Sequence, residues 1–329
     1  MAGWTKTSAA AMLVLLASAS TAQPGGYRPP VHGEPTPSFA NLAPEQSVRF
    51  ADGGTEIEQS RSPAGELAEH RLMTRALAAL QPQRKGVVDA YVVAIALDSD
   101  PVFGREAREA GRVLASRYDA VGRTIVLAGA DGSAPSDLPR GSPGNLGLAL
   151  ARVAELIDPA EDALILYTTS HGAPIGIVYN DGTEGFGIIS ANRLAGMLDG
   201  LGIRRRLVMV SACFSGTFVP ALASDDSAVL TASVADRTSF GCQADSDWTF
   251  FGDALINHAL RKPQPLAAAA SEAGRLVAAW ETRGKLTPSL PQVAIGSGAN
   301  AWLSLLDRRT PRQASAPVGR PAVSLLDQP

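Results

Sequence analysis

The sequence predicts an α/β fold in which one three-layer αβα domain spans residues 86–307. Short apolar runs of strand type alternate with amphipathic helical patterns along this stretch, and such alternation is typical of a parallel sheet covered by helices on both faces. Two of the runs, residues 163–168 and 206–210, are separated by an amphipathic segment at 190–201. A strand, a helix and a second strand in this order predict two parallel neighbours.

The chain before this domain divides into two parts. Lys6 precedes an apolar stretch at residues 9–17, and small residues then lead to Ala22. This pattern is typical of a secretory signal peptide over residues 1–22, and the stretch is too short to span a membrane. Residues 23–85 are expected to form an N-terminal extension with one amphipathic helix, and its part from Gln23 to about Pro63, rich in Pro, Gly and Ser, is expected to lack a core of its own. We therefore expect an exported protein, periplasmic or secreted, with no membrane span.

The remaining elements follow from apolar spacing. Strands are predicted where buried, often β-branched runs occur: residues 87–97, 124–127, 163–168, 206–210, 228–234 and 291–295. Helices are predicted where apolar residues recur at helical spacing: residues 64–80 in the extension and 105–117, 146–157, 190–201, 251–260 and 266–282 in the domain. Glycines within residues 173–189 indicate a hairpin, and prolines beside the last strand favour a sheet edge. The tail at residues 308–329 is expected to be flexible because it is rich in Pro, Arg and Ser.

The net charge and the composition of one glycine-rich loop argue against two classes of ligand, nucleic acids and the phosphate groups bound by glycine-rich loops. The net charge is −3, with both signs interspersed, so there is no basic surface of the kind that binds nucleic acid. The glycine-rich loop after residues 124–127 lacks the Gly-Lys-Ser/Thr and Gly-x-Gly-x-x-Gly patterns of phosphate-binding loops. We therefore expect no nucleic-acid partner.

Small polar clusters follow the two neighbouring strands, at residues 169–172 and 211–216. Reacting groups collect beyond the carboxyl ends of parallel strands, so His171 and Cys213 are expected to meet there. A neighbouring imidazolium lowers the pKa of a thiol, and N–H groups at a helix start favour an anion. Gly172 can direct its N–H at a developing oxyanion, so the three residues predict acyl transfer through a thioester.

Other roles for Cys213 stay open on this reasoning. Export would place Cys213 and Cys242, the two cysteines of the chain, in an oxidising compartment where they could form a disulfide. Cys213 could also be a buried small hydrophobe. A serine hydrolase that uses Ser211 or Ser215 is disfavoured because the Gly-x-Ser-x-Gly elbow is absent.

The motifs around the two candidate catalytic residues resemble a known family. An apolar strand with Ser-His-Gly is followed by a second apolar strand with Ala-Cys-Phe-Ser-Gly, and Gly-Ile-Val-Tyr-Asn-Asp-Gly comes shortly after the His-Gly pair. This pattern resembles the legumain (asparaginyl endopeptidase) family of the caspase-haemoglobinase superfamily of cysteine peptidases, over about residues 87–260. The resemblance implies a six-stranded, mostly parallel sheet between helices, a His171/Cys213 dyad and a peptide or protein substrate. It also implies that no metal or other cofactor is needed.

The resemblance further implies a zwitterionic pocket for the substrate side chain before the cleaved bond. The arginine, serine and aspartate of the family's pocket correspond to Arg105, Ser239 and Asp253. An Arg and an Asp together offer donors and acceptors to a carboxamide, which has both, so cleavage after Asn, or after a protonated Asp, is expected. Cys242 matches a non-catalytic cysteine of the family and is expected to be free or buried.

Three residues depart from the family's pattern at the site. Ser211 replaces a pocket glutamate, Glu106 replaces a histidine, and Phe103 replaces an asparagine that supports the imidazole. Two functions are therefore considered. The first is an exported cysteine endopeptidase with a transpeptidase side activity, and the second is a catalytically silent, caspase-like module that binds peptides or proteins. Either the segment before the first strand or the tail after Asp307 could serve as a removable pro-segment.

Overall fold

The structure is a computed structural model that describes residues 42–129 and 135–327. The predicted signal peptide, residues 1–22, lies outside the described residues. Among the residues that are described, none of the helices combines the length and apolar character needed to span a bilayer. The predicted division of the chain into segments remains a prediction, and the elements below show what each segment contains.

The described strands form two sheets. In chain order they are β1 (Glu56–Glu58), β2 (Ala90–Ala96), β3 (Thr124–Leu127), β4 (Ala163–Thr169), β5 (Gly172–Ala173), β6 (Gly176–Asn180), β7 (Gly185–Ile189), β8 (Arg206–Ser211), β9 (Ser227–Thr231) and β10 (Gln292–Ile295). The six-stranded sheet has the order β10-β9-β8-β4-β2-β3, and its neighbours are parallel except for the antiparallel β9–β10 pair. The predicted mostly parallel six-stranded sheet is confirmed, with β10 at an edge.

Helices cover both faces of this sheet. They are α1 (Pro44–Gly53), α2 (Pro63–Ala78), α3 (Pro101–Arg117), α4 (Pro143–Leu156), α5 (Ala191–Gly200), α6 (Val219–Leu222), α7 (Phe250–Gly252), α8 (Leu266–Arg283) and α9 (Ser297–Asp307). Successive side chains of a strand point to opposite faces. Val92 of β2 accordingly joins the core that contains Leu114 of α3, while Val93 joins the core that contains Leu150 of α4. The predicted three-layer αβα sandwich is confirmed.

The N-terminal extension contains more structure than predicted. Its expected helix is present as α2, and Ser62 caps that helix by accepting a hydrogen bond from the N–H of Gly65 at 3.0 Å. In addition, α1 precedes it, and β1 pairs antiparallel with β7 in the four-stranded sheet β1-β7-β6-β5. Sequence patterns did not reveal these elements because α1 buries only Ala51 and β1 has just three residues.

The C-terminal segment also differs from the expectation of a flexible tail. Helix α9, which the sequence analysis did not predict, leads into residues 308–327, which cross the molecule and end in a 3₁₀ helix at Ala322–Asp327. The indole N–H of Trp248 donates to the carbonyl of Val318 at 2.8 Å. Side chains of the body of the protein bind the backbone of this segment at Val318, Arg320 and Ala322, and Leu325 and Leu326 pack against the core.

Candidate active site

The two predicted catalytic residues follow neighbouring strands of the central sheet. Strands β4 and β8 are parallel with Thr169 opposite Ser211, so both chains leave the sheet at the same edge. Gly172 approaches the backbone of Cys213 so closely that a Cβ at Gly172 would lie 2.0 Å from the Cys213 carbonyl oxygen. The His171-Gly172 pair and Cys213 therefore lie side by side, and a glycine is required at position 172 by this close approach.

Cys213 is a free, half-buried thiol. It precedes a sharp turn in which Phe214 has a φ of 57° and caps a 3₁₀ helix at Ser215–Phe218. The N–H of Ser239 lies 3.2 Å from the Cys213 sulfur, and the Ser239 hydroxyl lies 3.6 Å from it. Ser239, predicted as a pocket residue, is thus placed directly beside the nucleophile.

His171 is supported by groups that the sequence analysis did not assign. Its Nε2 lies 3.5 Å from a carboxylate oxygen of Asp100, and its ring meets that of Phe103 edge to face with centroids 5.0 Å apart. Burial alone would lower the pKa of His171. Hydrogen bonds with Asp100 and Cys242, together with the charge of Asp98, outweigh burial and raise this pKa to about 10.

Asp100 is the functional residue that sequence reasoning missed most clearly. It precedes Pro101 at the start of α3, and its own N–H donates to a carboxylate oxygen of Asp98 at 2.8 Å. The sequence shows both acids at the end of β2, but their relation to His171 depends on packing between two strands that are separated by many residues. Asp100 supplies the imidazole support that the family pattern assigns to the position of Phe103.

These acids also define the candidate metal ligands of the site. Among the described residues, Asp98, Asp100 and His171 are the group whose potential ligand atoms all lie within 4.8 Å of one another. A carboxylate and imidazole set of this kind could hold a divalent cation. The same atoms orient the imidazole, so an ion bound there would replace the contact between Asp100 and His171.

Arg105, the predicted pocket arginine, contacts the loop that follows Ser239. Its Nη2 donates to the carbonyls of Ala244, at 2.8 Å, and Ser246. Its Nε lies 3.7 Å from Asp247, and the side chains of Arg105 and Asp247 are each 29% exposed. Arg105 therefore lies at the surface near the site with an acidic neighbour that the sequence analysis did not name.

Ser211 and Glu106 lie behind the site in a buried polar network. The Ser211 hydroxyl is 3.0 Å from the Thr249 hydroxyl. The fully buried Glu106 accepts hydrogen bonds from the Tyr167 hydroxyl at 2.6 Å and the Thr249 N–H at 2.9 Å. Burial, with the charge and hydrogen bond of Glu106, raises the pKa of Tyr167 well above 10.0, so this hydroxyl stays a donor. The network fixes the floor of the site.

Asp253 is placed away from an open pocket. The residue is fully buried, and its carboxylate accepts hydrogen bonds from the Asn257 side chain and the Ala322 N–H, both at 2.7 Å. Burial raises the pKa of Asp253, while these hydrogen bonds and the nearby His258 act in the opposite direction. None of the contacts found for Asp253 is with Arg105. The Asp253 carboxylate is thus engaged by Asn257 and by the C-terminal segment, and its predicted role as a pocket residue remains a prediction.

Comparisons with known proteins cover this part of the chain. Residues 149–274 match the model of the Peptidase C13 family. The crystal structure of caspase-1 from Spodoptera frugiperda aligns with a TM-score of 0.42 and 13% identity, covering 65% of this chain and 92% of that chain. A search of curated proteins gives no significant match. The family match spans the strands and turns that carry His171 and Cys213, and it confirms the resemblance of this chain to the legumain-like cysteine peptidases.

Proposed function

We propose that this protein is an exported cysteine endopeptidase that cleaves after Asn, or after Asp, with His171 and Cys213 as its catalytic dyad. The observation that carries the proposal is the close approach of Gly172 to the Cys213 backbone at the ends of β4 and β8. The Peptidase C13 match over the same segment supports a cysteine peptidase. The apolar N-terminal stretch supports export.

The proposed reaction begins from the charged dyad, in which His171 holds a proton, as its raised pKa favours, and the Cys213 thiol has released its proton to solvent. The sulfur then attacks the substrate carbonyl carbon, a C–S bond forms, and the carbonyl oxygen becomes an oxyanion near the Gly172 N–H. The imidazolium gives its proton to the leaving amine as the C–N bond breaks, which leaves a thioester. Water then attacks the thioester carbonyl carbon and gives a proton to His171, and the C–S bond breaks, which releases the acid product and restores the Cys213 thiolate. An amine in place of water would give transpeptidation.

Asp100 has a positioning role in this scheme. Its carboxylate lies beside Nε2 of His171 and stabilises the protonated imidazole of the dyad. Arg105 supports specificity for Asn or Asp because a guanidinium can donate hydrogen bonds to the oxygen of either side chain. Ser239 lies beside the nucleophile, with its N–H 3.2 Å from the Cys213 sulfur.

Peptide-library cleavage tests the proposal. We expect the wild-type chain to cleave after Asn or Asp and Cys213→Ala to lose turnover. Limited iodoacetamide labelling with peptide mapping should show rapid alkylation of Cys213, with Cys242 in the same digest as the internal comparison. Turnover that persists in Cys213→Ala would disprove the nucleophile assignment.

The alternative is a catalytically silent module that binds peptides or proteins. It is favoured by the engagement of Arg105 with loop carbonyls and by the burial of Asp253, which together alter the pocket that the family pattern implies. This function predicts slow alkylation of Cys213 and peptide binding that is equal in the wild type and Cys213→Ala. The labelling experiment therefore distinguishes the two functions.

A further inference from the structure

We propose that Asp247, held in place by C-terminal residues 318–322, is the acidic partner of Arg105 in the substrate pocket. This inference rests on the proposed peptidase function and assigns the specificity-determining acid of the same site. It replaces Asp253, the acid that the family pattern implies. The C-terminal residues act as a strap whose removal would change substrate preference.

The loop at residues 239–249 joins the catalytic residues to Arg105. At its beginning, the Ser239 N–H contacts the Cys213 sulfur at 3.2 Å, and Cys242 hydrogen-bonds with His171. At its end, the Thr249 N–H is fixed by Glu106. The position of the intervening residues is therefore set relative to the dyad at one end and to the buried network at the other.

Arg105 meets this loop from α3, the helix whose first residues also support His171. One guanidinium nitrogen donates to two loop carbonyls, and another lies 3.7 Å from the Asp247 carboxylate. The exposure of their side chains indicates which of the two candidate acids, Asp247 or Asp253, can contact a substrate. The Asp247 side chain is 29% exposed and can meet a substrate, whereas Asp253 is 0% exposed and is covered by the chain itself.

The C-terminal segment holds Asp247 from the side opposite Arg105. The Arg320 N–H donates to the second carboxylate oxygen of Asp247 at 2.6 Å. Next to it, the Val318 carbonyl accepts hydrogen bonds from Trp248 at 2.8 Å and from Asn257 at 3.0 Å, and the Val318 N–H donates to Asn257 at 2.9 Å. The strap is thus bound to both the loop and the π-helix at Asp253–Ala259.

Gly319 allows the strap to lie close to Asp247 and Trp248. Its φ is +74°, and a Cβ there would lie 2.9 Å from the Asp247 carboxylate and 3.2 Å from the Trp248 indole nitrogen. A larger residue would be strained in this conformation and would push the strap away from Asp247. The strap is also accessible to proteolysis, since residues 311–320 are exposed.

A charge substitution tests the role of Asp247. Removal of the negative charge beside Arg105 makes the pocket more favourable for an anionic side chain, so Asp247→Asn should raise the ratio of kcat/KM for Asp over Asn substrates about tenfold, mainly through KM. Asp245→Asn is the matched control, because it makes the same charge change two positions away on the same loop, and its ratio should stay at the wild-type value. A shifted ratio in Asp253→Asn with none in Asp247→Asn would overturn the proposal.

Gly319→Val tests the strap, with Ala316→Val as its control. We expect Gly319→Val to increase amide hydrogen exchange at least about fivefold in residues 242–249 and to shift the substrate ratio in the same direction as Asp247→Asn. Unchanged exchange in a folded Gly319→Val protein would refute the strap. If the wild type cleaves no peptide, the proposed function fails and the pocket role of Asp247 fails with it, whereas the exchange measurement still decides whether the strap holds the loop.

Discussion

The carboxylate of Asp100 lies 3.5 Å from Nε2 of His171. Asp100 begins helix α3 and His171 follows strand β4, so the contact is made by two elements that pack against each other. The imidazole is thereby oriented by a charged group. Its support differs from the family pattern, in which an uncharged asparagine stands at the position of Phe103.

Removing this charge should impair the reaction. We expect Asp100→Asn to lower kcat/KM at least about tenfold, because the imidazolium of the dyad loses its counter-charge. The upper limb of the pH–rate profile should move to lower pH as the pKa of His171 falls. A pH–rate profile measured with one peptide tests this. A fall in rate with an unmoved upper limb would show that Asp100 has only a packing role.

The raised pKa of His171 also predicts how stability depends on pH. Since the pKa rises from 6.5 to about 10 on folding, the folded protein holds this proton more tightly than the unfolded chain. The resulting stabilisation is complete below about pH 6.5 and is lost as the pH rises through about 10. Urea unfolding should show a steeper loss of stability over this range for the wild type than for Asp100→Asn. Equal slopes for the two proteins would contradict the assigned pair.

Because Gly172 lies so close to the Cys213 backbone, we expect that adding one methyl group at position 172 severely reduces turnover. Gly172→Ala would place a Cβ against the Cys213 carbonyl, so the strand ends must separate, and we expect a loss in kcat of at least about a hundredfold. Gly196→Ala is the matched control, because a Cβ there meets no atom within 4 Å and α5 should gain about 0.5–1 kcal/mol. Near-normal turnover in Gly172→Ala would show that the dyad does not depend on this contact.

Ser211 is expected to affect stability more than specificity. Ser211→Ala removes the contact with the Thr249 hydroxyl at a position that is 2% exposed, which should cost about 1 kcal/mol of unfolding free energy. The preference between Asn and Asp substrates should stay unchanged. Chemical denaturation and a two-peptide competition assay measure these effects. A changed preference with unchanged stability would place Ser211 in the pocket, as the family resemblance implies.

The central sheet and the location of the dyad could be predicted from the sequence because they depend on local patterns. Fully apolar runs such as β4 identify buried strands, and the polar residues after them mark the reactive edge. Asp100 and Asp247 could not be predicted in the same way, since their roles depend on contacts across elements. The pocket roles of Arg105 and Asp253 come from a family pattern, which gives no sign that the C-terminal segment donates a hydrogen bond to the Asp253 carboxylate.

The pairing of β1 with β7 limits how far the N-terminus can be removed by proteolysis without loss of structure. Residues Glu56–Glu58 form the outer strand beside Gly185–Ile189, and the Ser190 hydroxyl, which caps α5, donates to Asp52 at 2.6 Å. A protease that trimmed the chain beyond Glu58 would remove a structural partner of the hairpin and of α5. Any processing that yields an active form should therefore stop before α1, and the mature N-terminus is a measurable marker of that limit.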